Sequence, residues 1–125
     1  MNMVILHTDK APAAIGPYSQ AIEANGFVFT SGQLGIIPDT GVLAHNMAAQ
    51  TVQALENVKA VLMSAGLTLD NVVKTTCYLK NMDDFTLFNE IYGQYFVSSK
   101  PARSCFAVAQ LPKDGLVEIE VVAAK

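Results

Sequence analysis

Two stretches of helical period constrain this chain more than any other feature. From Asn46 to Ala65, Ala48, Val52, Leu55, Val58 and Leu62 recur every three or four residues, and Gly66 stands where a helix takes its C′ glycine. From about Asp83 to Phe96, a second amphipathic face carries Phe85, Phe88, Ile91, Tyr92 and Tyr95, and Pro101 keeps the chain from continuing in that helix. Each helix leads into a strand: Val72 to Leu79 after the first, Ala102 to Ala109 after the second. Ser19 to Ala24 and Phe27 to Ser31 flank Asn25-Gly26, a strong hairpin signal. Beyond Gly32, Leu34-Gly35-Ile36-Ile37 leaves room for a further short strand before the turn Pro38-Asp39-Thr40-Gly41. Leu116 to Ala123 closes the series behind the loop Leu111-Pro112-Lys113-Asp114-Gly115.

That order predicts an α+β fold in which two helices cover one face of a mixed sheet. The other face stands uncovered in a monomer. Composition bears on how it is covered. Of 125 residues, 51% are hydrophobic and only 15% are charged, where an ordinary soluble domain carries about 25%. A domain of this size buries only about two thirds of its unfolded surface. We therefore expect self-association.

The same figures exclude other classes. The apolar share and a net charge of −3 rule out disorder. A pI near 5.2 with eight scattered cations argues against a nucleic-acid partner held through its phosphates. No apolar run approaches the roughly 18 residues of a membrane span. The segment from Met1 to His7 lacks the features of a signal peptide and no N-x-S/T sequon occurs, which points to a cytoplasmic protein. Without linker, repeat or low-complexity tract, residues 1–125 read as one domain.

Arg103 is the only arginine, against seven lysines, and it lies within a strand. A guanidinium offers a rigid fork of donors that matches a carboxylate. It could anchor the carboxylate of a small acid, or form a structural ion pair with Glu118 or Glu120. Period 2 puts Ser104, Phe106 and Val108 on one face and Arg103, Cys105 and Ala107 on the other. It likewise separates Val117, Ile119 and Val121 from Glu118 and Glu120. With the bulky apolar sets beneath the helices, Arg103, Glu118 and Glu120 are expected together on the uncovered face. A carboxylate beside the arginine could orient or deprotonate water, or both glutamates could be solvated acids on a half-buried strand.

Tyr18 follows the compact turn Ile15-Gly16-Pro17, and Thr30-Ser31-Gly32-Gln33 ends a strand at a glycine where backbone can approach a ligand. Gly32-x-x-Gly35 is not a phosphate loop. Cys105 shares a face with Arg103, but sequence places no histidine to activate it, so it reads as packing. Cys77 and Cys105 are expected reduced and unbridged. His7, His45 and the cysteines show no CxxC or HxxxH spacing, so no metal is expected.

Together the motifs resemble the reactive intermediate deaminase A (RidA) family, the 2-iminobutanoate/2-iminopropanoate deaminases. The likeness runs through Ala11-Pro12-Ala13-Ala14-Ile15-Gly16-Pro17-Tyr18-Ser19-Gln20-Ala21, Thr30-Ser31-Gly32-Gln33 and Gln53-Ala54-Leu55-Glu56-Asn57-Val58-Lys59. It continues in Val73-Lys74-Thr75-Thr76, Asn89-Glu90-Ile91-Tyr92, Pro101-Ala102-Arg103-Ser104-Cys105 and Val117-Glu118-Ile119-Glu120-Val121. The resemblance implies a chorismate-mutase-like fold and a homotrimer whose uncovered faces form a central barrel, with three sites between subunits. It implies hydrolysis of 2-imino acids, tautomers of the enamines released by pyridoxal-phosphate dehydratases, to 2-oxo acids and ammonia. No cofactor is implied, and the benefit is protection of pyridoxal-phosphate enzymes. The family's carboxylate-binding arginine falls on Arg103 and its water-positioning glutamate on Glu118. Tyr18, Ser31, Gly32, Asn89 and Cys105 match positions lining its cleft. Three rival expectations stay open: a non-catalytic trimeric module that binds 2-oxo acids; the RNA cleavage attributed to some members, which the acidic pI disfavours; and a structural or chaperone-like role, suggested only by the apolar composition.

Overall fold

In the computed structural model, which describes residues 2–125, the strands are β1 (Met3–Leu6), β2 (Ala21–Ala24), β3 (Phe27–Thr30), β4 (Gln33–Leu34), β5 (Ile36–Ile37) and β6 (Val42–Leu43), followed by β7 (Val72–Leu79), β8 (Ala102–Ala107) and β9 (Val117–Ala124). Helix α1 (Met47–Met63) precedes β7, and α2 (Phe85–Tyr95) lies between β7 and β8. The main sheet runs β1-β2-β3-β9-β7-β8, with β4 also on β9, and β5 and β6 form a separate hairpin. Among the described residues only β7 and β8 pair in parallel, as the α2 crossover between them requires.

Local chemistry accounts for the joints. Asn25 and Gly26 both take positive φ, 53° and 81°, which gives the β2–β3 hairpin its tight turn. The Asn46 side chain accepts from the Ala49 N–H at 2.8 Å and caps α1. At the other end, the Leu67 N–H reaches the Leu62 carbonyl at 3.0 Å and the Gly66 N–H reaches Met63 at 2.9 Å. With Gly66 at φ 75°, this is a Schellman closure on the glycine the sequence marked.

The helices lie on one face of the sheet. Leu55, Val58 and Leu62 of α1 and Phe88 of α2 are fully buried against Val28, Leu79, Val117 and Ile119. Buried amides of α1 satisfy nearby main chain: Asn57 Nδ2 donates to the carbonyls of Leu34 at 3.1 Å and Ile36 at 2.9 Å. Gln50 Oε1 accepts from the Leu116 N–H at 2.9 Å. Gly35 permits this approach, because a Cβ there would stand 2.5 Å from the Gln50 Cα. On the opposite face Phe27, Phe29 and Phe106 are 41–47% exposed. That face is uncovered, as expected, and alongside Glu118 and Glu120 it carries Phe106, which was expected beneath the helices.

Several details differ from expectation; among them, the stretch after Gly32 forms β4 and β5 rather than one strand, and β6 was not foreseen. Val52 points outward, because the buried stripe of α1 runs through Met47, Thr51, Ala54, Leu55, Val58 and Leu62. β8 stops at Ala107 rather than Ala109. β1 was not foreseen; it is an edge strand whose Met3, Val4 and Ile5 are all exposed, so it lacks alternation. The consequential correction concerns Arg103. Glu118 and Glu120 do alternate with the buried Val117, Ile119 and Val121, but Arg103 does not join them on the open face. It stacks on the α2 rings of Tyr92, 4.7 Å from the centroid, and Phe85, 5.6 Å, so it lies on the helix side. Its neighbour Phe106 faces the open side, edge-on to Tyr78 at 5.5 Å. Both faces of β8 have apolar neighbours, so bulk could not tell which face the helices cover.

Candidate functional site

The first cluster gathers around Glu118. The Gln20 carboxamide ties the segment before Tyr18 to the sheet: Oε1 accepts from the Thr8 N–H at 2.8 Å, and Nε2 donates to the Pro12 carbonyl at 2.8 Å and the Thr8 carbonyl at 3.1 Å. The Ser31 hydroxyl donates to the Ser19 carbonyl at 2.6 Å, and the Ser31 N–H donates to the Gln20 carbonyl at 2.9 Å. Ser31 therefore braces the loop that presents Tyr18. A cavity of about 350 Å³ opens between this loop and the end of β9, with Pro12, Tyr18, Gly32, Leu34, Pro112 and Glu118 in its wall. The Glu118 carboxylate lies over Gly32, where a Cβ would be 2.5 Å from Oε2. Half-burial pushes the Glu118 carboxyl above the usual carboxylate range, and the nearby charge of Glu120 adds to the rise. Glu118 and Glu120 also share a depression of about 290 Å³ with Tyr78 on the open face. Burial, and then the Glu120 carboxylate, push the Tyr78 hydroxyl up.

The second cluster gathers around Arg103. Its Nη1 donates to Asn89 Oδ1 at 2.7 Å. Phe85, Asn89 and Tyr92 recur at four- and three-residue intervals on α2, so two rings and one amide meet the guanidinium from one helix face. The Tyr92 ring is fixed in turn by a 2.8 Å bond between its hydroxyl and Thr75 Oγ1. A cavity of about 430 Å³ opens here, with Asn89, Tyr92, Phe96, Lys100, Pro101 and Arg103 in its wall. Among the described residues Arg103 forms no ion pair; the carboxylate bridges involve other cations. The reading of Arg103 as a structural partner of Glu118 or Glu120 within one chain is thereby set aside.

Cys105 is half-buried on the Arg103 side and pairs in register with Cys77 on β7. Burial raises the Cys105 thiol against the pull of Arg103, and burial drives Cys77 up to about 12. Neither is a ready nucleophile.

The structure thus brings Tyr18, Gly32 and Glu118 together, with Ser31 behind them, and separately brings Asn89, Cys105 and Arg103 together. Within one chain the two groups lie on opposite sides of the sheet. Sequence reasoning missed Gln20 as the brace of the first cluster and Phe85 and Tyr92 as the seat of Arg103. An asparagine interrupting an aromatic stripe at helical spacing was the available signal for the latter.

Comparison with known proteins adds the lineage. The profile of a family described as Endoribonuclease L-PSP matches residues 8–125. A RutC family protein of Synechocystis sp. is 54% identical, over 98% of this chain and 97% of its own. A 2-iminobutanoate/2-iminopropanoate deaminase of Salmonella typhimurium is 46% identical, over 94% of each chain. The solved structure of YyfA, a protein of the conserved Rid family from Yersinia pestis, superimposes with a TM-score of 0.97 at 48% identity, covering 99% of this chain and 100% of that one. On matches of this extent, the chain belongs to the Rid/RutC family, the family also described as Endoribonuclease L-PSP.

Proposed function

We propose that the chain is a 2-imino acid deaminase whose site is completed when a second copy brings its Arg103 to the cavity that holds Glu118. The observation that carries this reading is Arg103 itself: a partly exposed guanidinium, oriented by Asn89 and facing a cavity, with no carboxylate partner among the described residues. The homologous deaminase supports the reaction class. The apolar open face, with Phe27, Phe29 and Phe106, supports burial between subunits in a homotrimer.

In this mechanism Arg103 holds the substrate carboxylate and Asn89 keeps the guanidinium in plane. C2 of the imine is already electrophilic, more so once its nitrogen is protonated, so the protein supplies orientation and a placed water. Glu118 accepts a hydrogen bond from that water and takes its proton as the oxygen attacks C2. The proton passes from Glu118 to the nitrogen; the C–N bond then breaks as the new hydroxyl gives its proton back to Glu118, so that ammonia leaves and C2 becomes a carbonyl. A carboxyl raised by burial and by Glu120 suits a group that must both accept and return a proton. Tyr18 closes the mouth of the cavity. Because imines also hydrolyse in water, the benefit is protective: the reactive imine is removed before it reaches pyridoxal enzymes.

The test generates 2-iminobutanoate in situ from threonine and a dehydratase and follows its decay. Wild type accelerates the decay, and Arg103→Ala loses the acceleration. An unchanged rate with wild type, or full activity in Arg103→Ala, overturns the proposal. Binding of 2-oxobutanoate without acceleration would favour the non-catalytic module instead. Ribonuclease activity, which the family's description names, has little support in a chain of net charge −3.

A further inference from the structure

The Arg103 cavity contains a second cation. Lys100 lines it beside Arg103, and none of its lining residues is a carboxylate. Among the described residues, of the chain's eight cations only Arg103 and Lys100 border this cavity. Lys59, Lys80 and Lys125 are each engaged by a carboxylate, from Glu56, Asp114 and Glu23 respectively. Lys74 donates to the Ser104 hydroxyl at 3.0 Å. Among the described residues the Lys100 ammonium has one long contact, 3.5 Å to the Val97 carbonyl, and the residue is exposed. It is held loosely enough to turn toward a ligand.

The connection between the two cations is short and stiff. Pro101 fixes φ between Lys100 and β8. Three residues of extended chain span at most about 10 Å, and both side chains border one cavity. Two anionic groups joined by a few carbons match that reach. Tyr92 and Phe96, with ring centroids 4.6 Å apart, supply apolar walls for the carbons between them. The volume, about 430 Å³, exceeds what one carboxylate needs.

We propose that Arg103 and Lys100 form a two-point anion site, with Lys100 as the specificity-determining residue, which favours dicarboxylic 2-imino and 2-oxo acids over monocarboxylic ones of equal length. This rests on the reading that Arg103 takes the substrate's C1 carboxylate; Lys100 then takes the carboxylate at the far end. An ammonium on a flexible stem suits that second position, where the chain length of the acid varies, while the fixed fork of Arg103 sets the position of the reacting carbon.

Calorimetric titration with two stable product analogues tests it: 2-oxoglutarate, and 2-oxopentanoate, which has the same number of carbons and no second carboxylate. The assembled wild type binds 2-oxoglutarate about fivefold more tightly at low salt, the range of a solvent-accessible ion pair. Raising the salt to about 0.5 M removes most of the difference. Lys100→Ala abolishes the preference and leaves 2-oxopentanoate within about twofold, and Lys100→Arg restores it. Equal affinities in wild type, or a Lys100→Ala effect equal for both acids, overturn the proposal. If 2-oxopentanoate binds, depends on Arg103 and is merely not disfavoured, the Lys100 proposal alone falls. If neither acid binds, the reading of Arg103 as a carboxylate anchor falls with it.

Discussion

Replacing Gly32 with alanine puts a methyl group where the Glu118 carboxylate now lies. The new Cβ would stand 2.5 Å from Oε2, 2.7 Å from Cδ and 3.0 Å from Cγ. To reach ordinary contact the carboxylate must retreat by about 1 Å, a displacement that costs on the order of a hundredfold when it moves a reacting group. That is about 2.7 kcal/mol of transition-state stabilisation. The fold has little reason to object. Gly32 is not in the left-handed region, and the atoms it meets belong to a half-buried side chain that can turn away. The stability loss should stay below about 1 kcal/mol. The imine-decay assay should then show kcat down about a hundredfold and KM nearly unchanged, because Arg103 is untouched. Gly35→Ala is the control. Its Cβ strikes the Gln50 backbone in α1, at 2.5 Å from both Cα and the carbonyl oxygen, and a helix backbone cannot swing aside. It should lower the melting temperature by the equivalent of about 1–3 kcal/mol and leave kcat of the folded protein intact. A Gly32→Ala variant with wild-type kcat would refute the placement of Glu118 at the reacting carbon.

Three further outcomes follow from the same geometry. Tyr92→Phe leaves the fully buried Thr75 hydroxyl without its 2.8 Å partner. Calorimetry should register a loss of about 1–2 kcal/mol, while the ring under Arg103 and therefore KM persist. Glu120→Gln removes the like charge that helps hold the Glu118 carboxyl high, so that carboxyl falls. Since Glu118 must be ionised to take the water's proton, activity rises with pH through its pKa, and the acid limb of kcat should move to lower pH; a limb that stays or rises contradicts the role. Phe29→Asp sets a charge on the open face, where a single chain leaves it 47% exposed. Sedimentation should show dissociation, with imine activity lost in parallel; an intact, active oligomer would contradict burial of that face.

Much of the fold was legible because it rests on local rules. The Asn25-Gly26 hairpin, the glycine closure of α1 and the span Val72–Leu79 each follow from a few adjacent residues. β1 was hidden because an exposed edge strand needs no alternation to pair with β2. For the site, the residue list was legible but its division was not. Period 2 separates faces within a strand, yet which face lies beneath the helices depends on neighbours in the sheet. Arg103 joins the helix side because Phe85, Asn89 and Tyr92 present a surface that accepts a cation. Glu118 and Glu120 stay on the other side because Val117, Ile119 and Val121 fill the core. On the proposed reading, that separation makes covering the open face a requirement of the chemistry as well as a matter of stability.

The central claim is that one working site takes Arg103 from one copy and Glu118 from another. Arg103→Ala and Glu118→Gln, each inactive alone, can be mixed in equal amounts, unfolded together and refolded. In a ring of like interfaces, random assembly gives about a quarter of the interfaces an intact arginine facing an intact glutamate. Imine decay should therefore recover to about a quarter of the wild-type rate. A mixture as inactive as its components would place both residues in the same chain's site and contradict the account.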